Sequence, residues 1–91
     1  MYVRRKNTYL LINLAQEGLV ISVKINNAEM LGLAIRKRRK ELGYTQGFIA
    51  DFTGLSVSFI SDVERGKVTA EIGKIIKLVS TLGLDILIES R

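Results

Sequence analysis

The sequence contains no cysteine, histidine, proline or tryptophan among its 91 residues. Without cysteine the chain has no disulfide framework, no thiolate metal site and no cysteine nucleophile. Without histidine it has no imidazole base or ligand, so zinc sites and Ser-His or Cys-His catalysis are excluded. Because 47% of the residues are hydrophobic, disorder is not expected. These exclusions predict a small single domain that binds a partner, needs no cofactor and is not an enzyme.

Positive charge is in excess and is clustered. The chain has 14 Lys and Arg against 9 Asp and Glu, a net charge of +5. Five consecutive cations occupy positions 36–40, and three more occupy 4–6. Five consecutive positions on a helix point almost all the way round it, so at least one cation should face the core and pair with a carboxylate. A basic surface favours nucleic acid as a partner, although it could also be an ordinary solvated surface.

The first 26 residues differ from the rest of the chain. Apolar residues at 8–14 and the alternation at 19–25 favour two strands of a β-hairpin, although the first segment could also be a short helix. A signal peptide is not expected, because polar residues interrupt the apolar run and no small-residue cleavage site follows. The run is also too short to span a bilayer. We therefore expect a cytoplasmic protein with no membrane partner.

From Asn27 onward the apolar residues recur every three to four positions, which is typical of helices. Asn27, Thr45 and Ser56 each stand where a capping side chain would begin a helix. The pattern predicts helices at 28–42, at about 46–52, at 57–65, and from 69 or 70 to about 82.

The C-terminal residues return to an alternating pattern. Leu84–Glu89 reads as a β-strand, and a lone strand needs a partner for its backbone groups. The chain therefore divides into an N-terminal extension at 1–26, a helical domain at 27–83, and a C-terminal strand and tail at 84–91.

The second and third helices, joined by a turn with Gly54, have the layout of a helix-turn-helix. In that motif the start of the second helix faces base edges in the major groove, so its outward positions must be small or polar. Val57, Ser58, Ser61 and Asp62 meet this requirement. Any three-helix bundle with glycine turns would share the spacing, so the spacing alone leaves DNA binding open.

Several segments carry a family resemblance. Residues 33–46, the run Thr53-Gly54-Leu55-Ser56, and residues 59–67 resemble the XRE/Cro-C1 family of helix-turn-helix repressors. Residues 69–74 and 82–86 resemble the HipB-type antitoxin branch. The resemblance implies a mainly α fold, a four-helix lambda-repressor-like domain whose C-terminal strand pairs across a homodimer. The dimer strand would use Leu84, Ile86, Leu87 and Ile88.

The resemblance also implies roles for individual residues. Val57 would contact a thymine methyl group and Asp62 would accept from cytosine N4, with Ser58 and Ser61 beside them. An ion pair between Arg39 and Glu64 would clamp the first helix to the recognition helix. The phosphate contacts would come from Thr45, Gln46, Arg36, Lys37, Arg38, Arg65 and Lys67.

These roles predict a transcriptional repressor that binds a palindromic double-stranded DNA operator as a homodimer. The HipB-like segments extend the prediction to the antitoxin of a type II toxin-antitoxin operon, which binds a HipA-like Ser/Thr kinase toxin and represses its own promoter. Three alternatives stay open: a stand-alone XRE-family regulator, a HigA-like antitoxin, and a protein-interaction module that does not bind DNA. Phe48 stands where the family usually has an exposed polar residue, so it could cover a protein surface.

Overall fold

The computed structural model describes residues 2–5, 8–13 and 18–91 of the chain. Three strands come first: β1 (Tyr2–Arg5), β2 (Thr8–Asn13) and β3 (Gly18–Val23). They form an antiparallel sheet in the order β1-β2-β3. β1 was not predicted, because the sequence signal there is charge rather than alternation. Residues 14–17, which connect β2 and β3 and would hold the turn of the predicted hairpin, lie outside the described residues.

Four helices follow the sheet: α1 (Ala28–Glu41), α2 (Gln46–Thr53), α3 (Val57–Glu64) and α4 (Ile72–Thr81). This confirms the predicted mainly α, four-helix domain. The first three helices begin at the predicted caps. The side chains of Asn27, Thr45 and Ser56 accept hydrogen bonds from the third following backbone N–H, at 2.8, 3.0 and 3.0 Å.

The fourth helix begins later than predicted. Residues 68 and 69 form a turn, and α4 starts at Ile72 rather than at 69 or 70. Glu71 occupies the cap position without a side-chain hydrogen bond. The sequence pattern therefore placed the start of this helix two to three residues too early.

All four helices contribute to one apolar core. Its largest fully buried members are Ile35 from α1, Ile49 from α2, Ile60 from α3, and Leu78 and Leu82 at the end of α4. These side chains are spaced as one face of each helix requires, which is why the periodicity predicted the helices. The core holds α3 between its neighbours and leaves its outer face in solvent.

The turn between α2 and α3 has a specific internal structure. Gly54 has a φ of 77°, in the left-handed region that favours glycine. The buried Thr53 hydroxyl donates to the carbonyl of Ile49 at 2.7 Å and accepts from the N–H of Leu55 at 3.1 Å. The hydroxyl therefore pairs the N–H of Leu55, which follows the end of α2, and links the last turn of α2 to the segment that leads into α3.

Residues 84–91 carry neither helix nor strand in the single chain. Leu84 packs against the core and donates its N–H to the carbonyl of Val79 at 3.1 Å. Ile86, Leu87 and Ile88 are 50%, 64% and 97% exposed. A groove of about 330 Å³ runs between this segment and α4. Because the predicted strand would pair with a second copy, its pairing stays a prediction.

Candidate nucleic-acid interface

The first turn of α3 presents its side chains to solvent. Ser56 caps the helix through the N–H of Phe59, and Ile60 and Val63 turn the opposite face into the core. Val57 is 46% exposed, Ser58 is exposed and Ser61 is half-buried. The three residues therefore form a surface of small side chains that a helix could present to a groove.

Asp62 lies beside these residues and forms ion pairs with two cations that follow the helix. Its Oδ1 lies 2.7 Å from Arg65 Nη2, and its Oδ2 lies 3.5 Å from Lys67 Nζ. The Asp62 side chain is 29% exposed, whereas those of Arg65 and Lys67 are 71% and 53% exposed. The sequence assigned the three residues separate roles, although the three-residue spacing of Asp62 and Arg65 could have indicated their contact.

The start of α2 is held by its cap and by a contact to α3. Thr45 is exposed and caps the helix, and the half-buried Gln46 donates from Nε2 to Glu64 Oε1 at 3.1 Å. Sequence reasoning assigned the Gln46 amide to phosphate alone and missed this bond. The first N–H groups of α2 point towards the helix N-terminus, where anions bind.

A two-pronged ion pair joins α1 to α3, as the resemblance implied. Arg39 Nε and Nη2 donate to the two carboxylate oxygens of Glu64 at 2.7 and 2.8 Å. Both residues are buried, at 8% and 7% exposure. Arg39 Nη1 also donates to the carbonyl of Tyr44 at 2.8 Å. The pair therefore links three parts of the motif: α1, α3 and the segment that leads into α2.

Arg39 and Glu64 shift each other's pKa. Burial raises the pKa of Glu64, but hydrogen bonds from Arg39 and Gln46, with the charges of Arg39 and Arg36, bring it below the usual value. The hydrogen bond to Glu64 raises the pKa of Arg39 despite the opposing effect of burial. Both groups are consequently charged over the physiological range.

The remaining cations of α1 differ in their surroundings. Arg36 and Lys37 are exposed, as phosphate contacts would have to be. Arg38 is not free in this way, because its Nε donates to the carbonyl of Leu82 at 2.9 Å. It lies at the C-terminus of α4, where carbonyls lack helical partners and attract cations. The structure thus gives Arg38 a packing contact through Nε, while its side chain is 37% exposed. A phosphate contact by Arg38 stays a prediction.

An aromatic row runs along the outer face of α2. The rings of Tyr44 and Phe48 lie 4.9 Å apart, and those of Phe48 and Phe52 lie 6.4 Å apart, measured between centroids. Phe48 is 50% exposed and Phe52 is 73% exposed. The sequence analysis did not predict that the three rings contact one another, although their four-residue spacing was visible.

Among the described residues, no group of three or more Asp or Glu side chains could hold a metal ion. No helix in the same part of the chain is long and apolar enough to cross a membrane.

The chain is similar to known proteins. Residues 35–88 match the family model described as helix-turn-helix. A curated HTH-type transcriptional regulator, y4mF of Sinorhizobium fredii, is 38% identical over 63 residues, which cover 69% of this chain and 83% of the relative. A solved complex of HipB with a 20mer named O4 has a TM-score of 0.71 at 23% identity, covering 76% of this chain and 97% of that one. A HipA-HipB-O2-O3 complex gives the same values, and at this identity the likeness is one of fold.

Proposed function

The chain belongs to the XRE-type helix-turn-helix family of transcriptional regulators, and from this premise we propose that it is a repressor that reads a specific operator with α3. The observation that carries the proposal is the exposed first turn of α3, which a glycine turn fixes beside the capped end of α2. We assign base reading to Val57, Ser58, Ser61 and Asp62. A repressor of this kind works in the cytoplasm, where its operator lies.

Phosphate contacts would surround the base-reading surface. Thr45 and Gln46 would bind one phosphate at the start of α2, where backbone N–H groups and the helix dipole favour an anion. Arg36 and Lys37 on α1 are exposed cations for the flanking backbone. Arg65 and Lys67 would reach the phosphates past the end of α3. Such contacts set the register of the protein and supply most of its salt-dependent affinity.

We predict that base-reading and phosphate-binding variants affect binding differently. Val57→Ala or Ser58→Ala should change the preferred bases, with discrimination changing by about 1–3 kcal/mol per affected base pair. Lys37→Ala should weaken all sequences alike and reduce the slope of log affinity against log salt by about 1. Selection from random duplexes, followed by gel-shift titrations at several salt concentrations, measures both effects. Binding with no preferred sequence and no salt dependence would contradict the repressor and favour a protein-interaction module.

We further propose that the active form is a homodimer on a palindromic operator. Ile86, Leu87 and Ile88 are exposed apolar residues in an alternating segment, and the groove beside α4 adjoins them. Pairing of this segment with its copy would satisfy its backbone groups and relate two recognition helices by a two-fold axis. Two such helices would then read half-sites about one helical turn of DNA apart.

The dimer proposal has a direct test in solution. We predict that Leu87→Asp combined with Ile88→Asp shifts the protein from dimer to monomer mass in light scattering, because charges would be buried in the interface. Val68→Asp is the matched control, since Val68 is 85% exposed and lies outside the segment. A parent protein of monomer mass, or a double variant that keeps the dimer mass, would contradict the role of this segment.

The finer proposal is that the repressor is an antitoxin for a HipA-like kinase and represses the operon that encodes both. The fold shared with HipB supports it, and the exposed rings of Phe48 and Phe52 offer apolar surface for a protein partner. Co-expression with the product of the adjoining gene tests it, since a kinase should then co-purify. An RNase-type toxin in that position would instead indicate a HigA-like antitoxin, and no toxin gene a stand-alone regulator.

A further inference from the structure

We propose that Asp62 makes the phosphate contacts of Arg65 and Lys67 conditional on the base sequence. In the free protein the carboxylate holds both cations, and it would release them to phosphate only where a base donates a hydrogen bond to it. Asp62 would thus suppress binding to unrelated DNA as well as recognise the operator. This inference rests on the proposed repressor function and concerns how the same surface discriminates.

The geometry supplies one acceptor oxygen to each cation. Arg65 Nη2 contacts Oδ1 at 2.7 Å, and Lys67 Nζ approaches Oδ2 at 3.5 Å. The backbone favours this arrangement, because the N–H groups of Arg65 and Lys67 both donate to the carbonyl of Asp62, at 3.2 and 3.0 Å. The turn after α3 therefore keeps the two side chains within reach of one carboxylate.

The charges explain why the arrangement would discriminate. Asp62, Arg65 and Lys67 together carry +1, and on unrelated DNA any cation that leaves Asp62 exposes a carboxylate to the phosphates. That carboxylate is an acceptor without a donor, and it is repelled by the DNA backbone. On a site that presents cytosine N4 opposite Asp62, the amino group satisfies the carboxylate instead. Both cations can then move to phosphate, so their contribution depends on that base.

Individual exposed ion pairs are weak, and this weakness is what allows the exchange. A stronger, buried pair such as Arg39–Glu64 would not release its cation to DNA. Because Arg65 and Lys67 are more than half exposed, either can rotate to a phosphate without unpacking the core. The two pairs are therefore strong enough to keep Arg65 and Lys67 beside Asp62 in the free protein, and weak enough to break when DNA binds.

Asp62→Asn tests the inference on a duplex without an operator. The substitution should tighten non-specific binding about three- to tenfold and steepen the log-log salt dependence by about 1 to 2, because two more cations reach phosphate. Asp51→Asn is the matched control: it also removes one negative charge, from the exposed face of α2, and is expected to tighten binding less than twofold with an unchanged salt slope. Circular dichroism checks that both variants are folded.

A double-mutant cycle separates this role from general electrostatics. Arg65→Ala should weaken non-specific binding more in the Asp62→Asn background than in the parent, because only there is Arg65 released. The inference would be overturned if Arg65→Ala weakened non-specific binding equally in the two backgrounds, or if Asp51→Asn and Asp62→Asn tightened it equally. Neither result would contradict the proposed repressor function. Absence of DNA binding by the parent protein would instead contradict the proposed function itself.

Discussion

Replacing Glu64 with alanine is expected to lower the free energy of unfolding by about 3–5 kcal/mol. The change leaves the guanidinium of Arg39 buried without the two carboxylate oxygens that it contacts at 2.7 and 2.8 Å. An uncompensated buried charge is far more costly than the loss of an exposed ion pair. The substitution also removes the carboxylate oxygen that accepts the hydrogen bond of Gln46 at the start of α2. Urea unfolding followed by circular dichroism measures the loss.

A paired replacement distinguishes a lost ion pair from general damage to the core. Arg39→Met combined with Glu64→Met removes both charges and fills the site with side chains of similar size, so it should recover most of the loss. Glu41→Ala is a useful second control, since Glu41 is half exposed and lies 4.0 Å from Arg38. If Glu64→Ala were no more destabilising than Glu41→Ala, the clamp between α1 and α3 would not be a significant source of stability.

The same pair predicts the direction of the acid response. The pKa of Glu64 is lowered in the folded protein, so its contribution to stability is complete above the unfolded pKa of about 4.3. That contribution is lost as the pH falls through the folded pKa. Stability measured at neutral pH and at about pH 3 should therefore fall more in the parent than in the double methionine variant. An equal fall in both proteins would place the acid sensitivity in other carboxylates.

Local signals in the sequence were the most informative. The caps at Asn27, Thr45 and Ser56 act over three residues, so the residue types alone were enough to predict them. Gly54 was predictable for the same reason, since the turn after α2 needs a residue that tolerates a positive φ. The XRE-type membership was carried by motifs built on these elements, and the comparisons confirm it.

Contacts between distant parts of the chain were harder to predict. The residues Arg38 and Leu82 are 44 positions apart, and only the tertiary fold brings the end of α4 to Arg38. The partners of the five cations at 36–40 depend on such long-range contacts. The sequence therefore indicated only that at least one of these cations must be buried. The Arg39–Glu64 pair was reached through the family resemblance. The contact of Lys67 with Asp62 depends on the turn at Gly66, which spacing alone does not describe.

The second large effect concerns the close approach of α1 to α3 at Gly32. A Cβ atom built at this position would collide with the carbonyl oxygen of Val63, and it would lie 2.8 Å from the carbonyl oxygen of Glu64. These are backbone atoms at the end of α3, so they cannot rotate away as a flexible side chain would. Glycine within a helix costs about 1 kcal/mol relative to alanine. Its presence in the middle of α1 is therefore explained by packing.

Gly32→Ala is accordingly expected to destabilise the fold by about 3 kcal/mol, although alanine is the better helix former. Gly73→Ala in α4 is the matched control, because a Cβ there meets nothing within 4 Å, and it should stabilise the fold by about 0.5–1 kcal/mol. Thermal and urea unfolding of the two variants against the parent give the comparison. Because the substitution is the same in both variants, the opposite signs of the two stability changes follow from the space around each new Cβ atom. Stabilisation by both changes would mean that α1 and α3 are not in backbone contact at Gly32, and the link between Arg39 and Glu64 would then need another geometry.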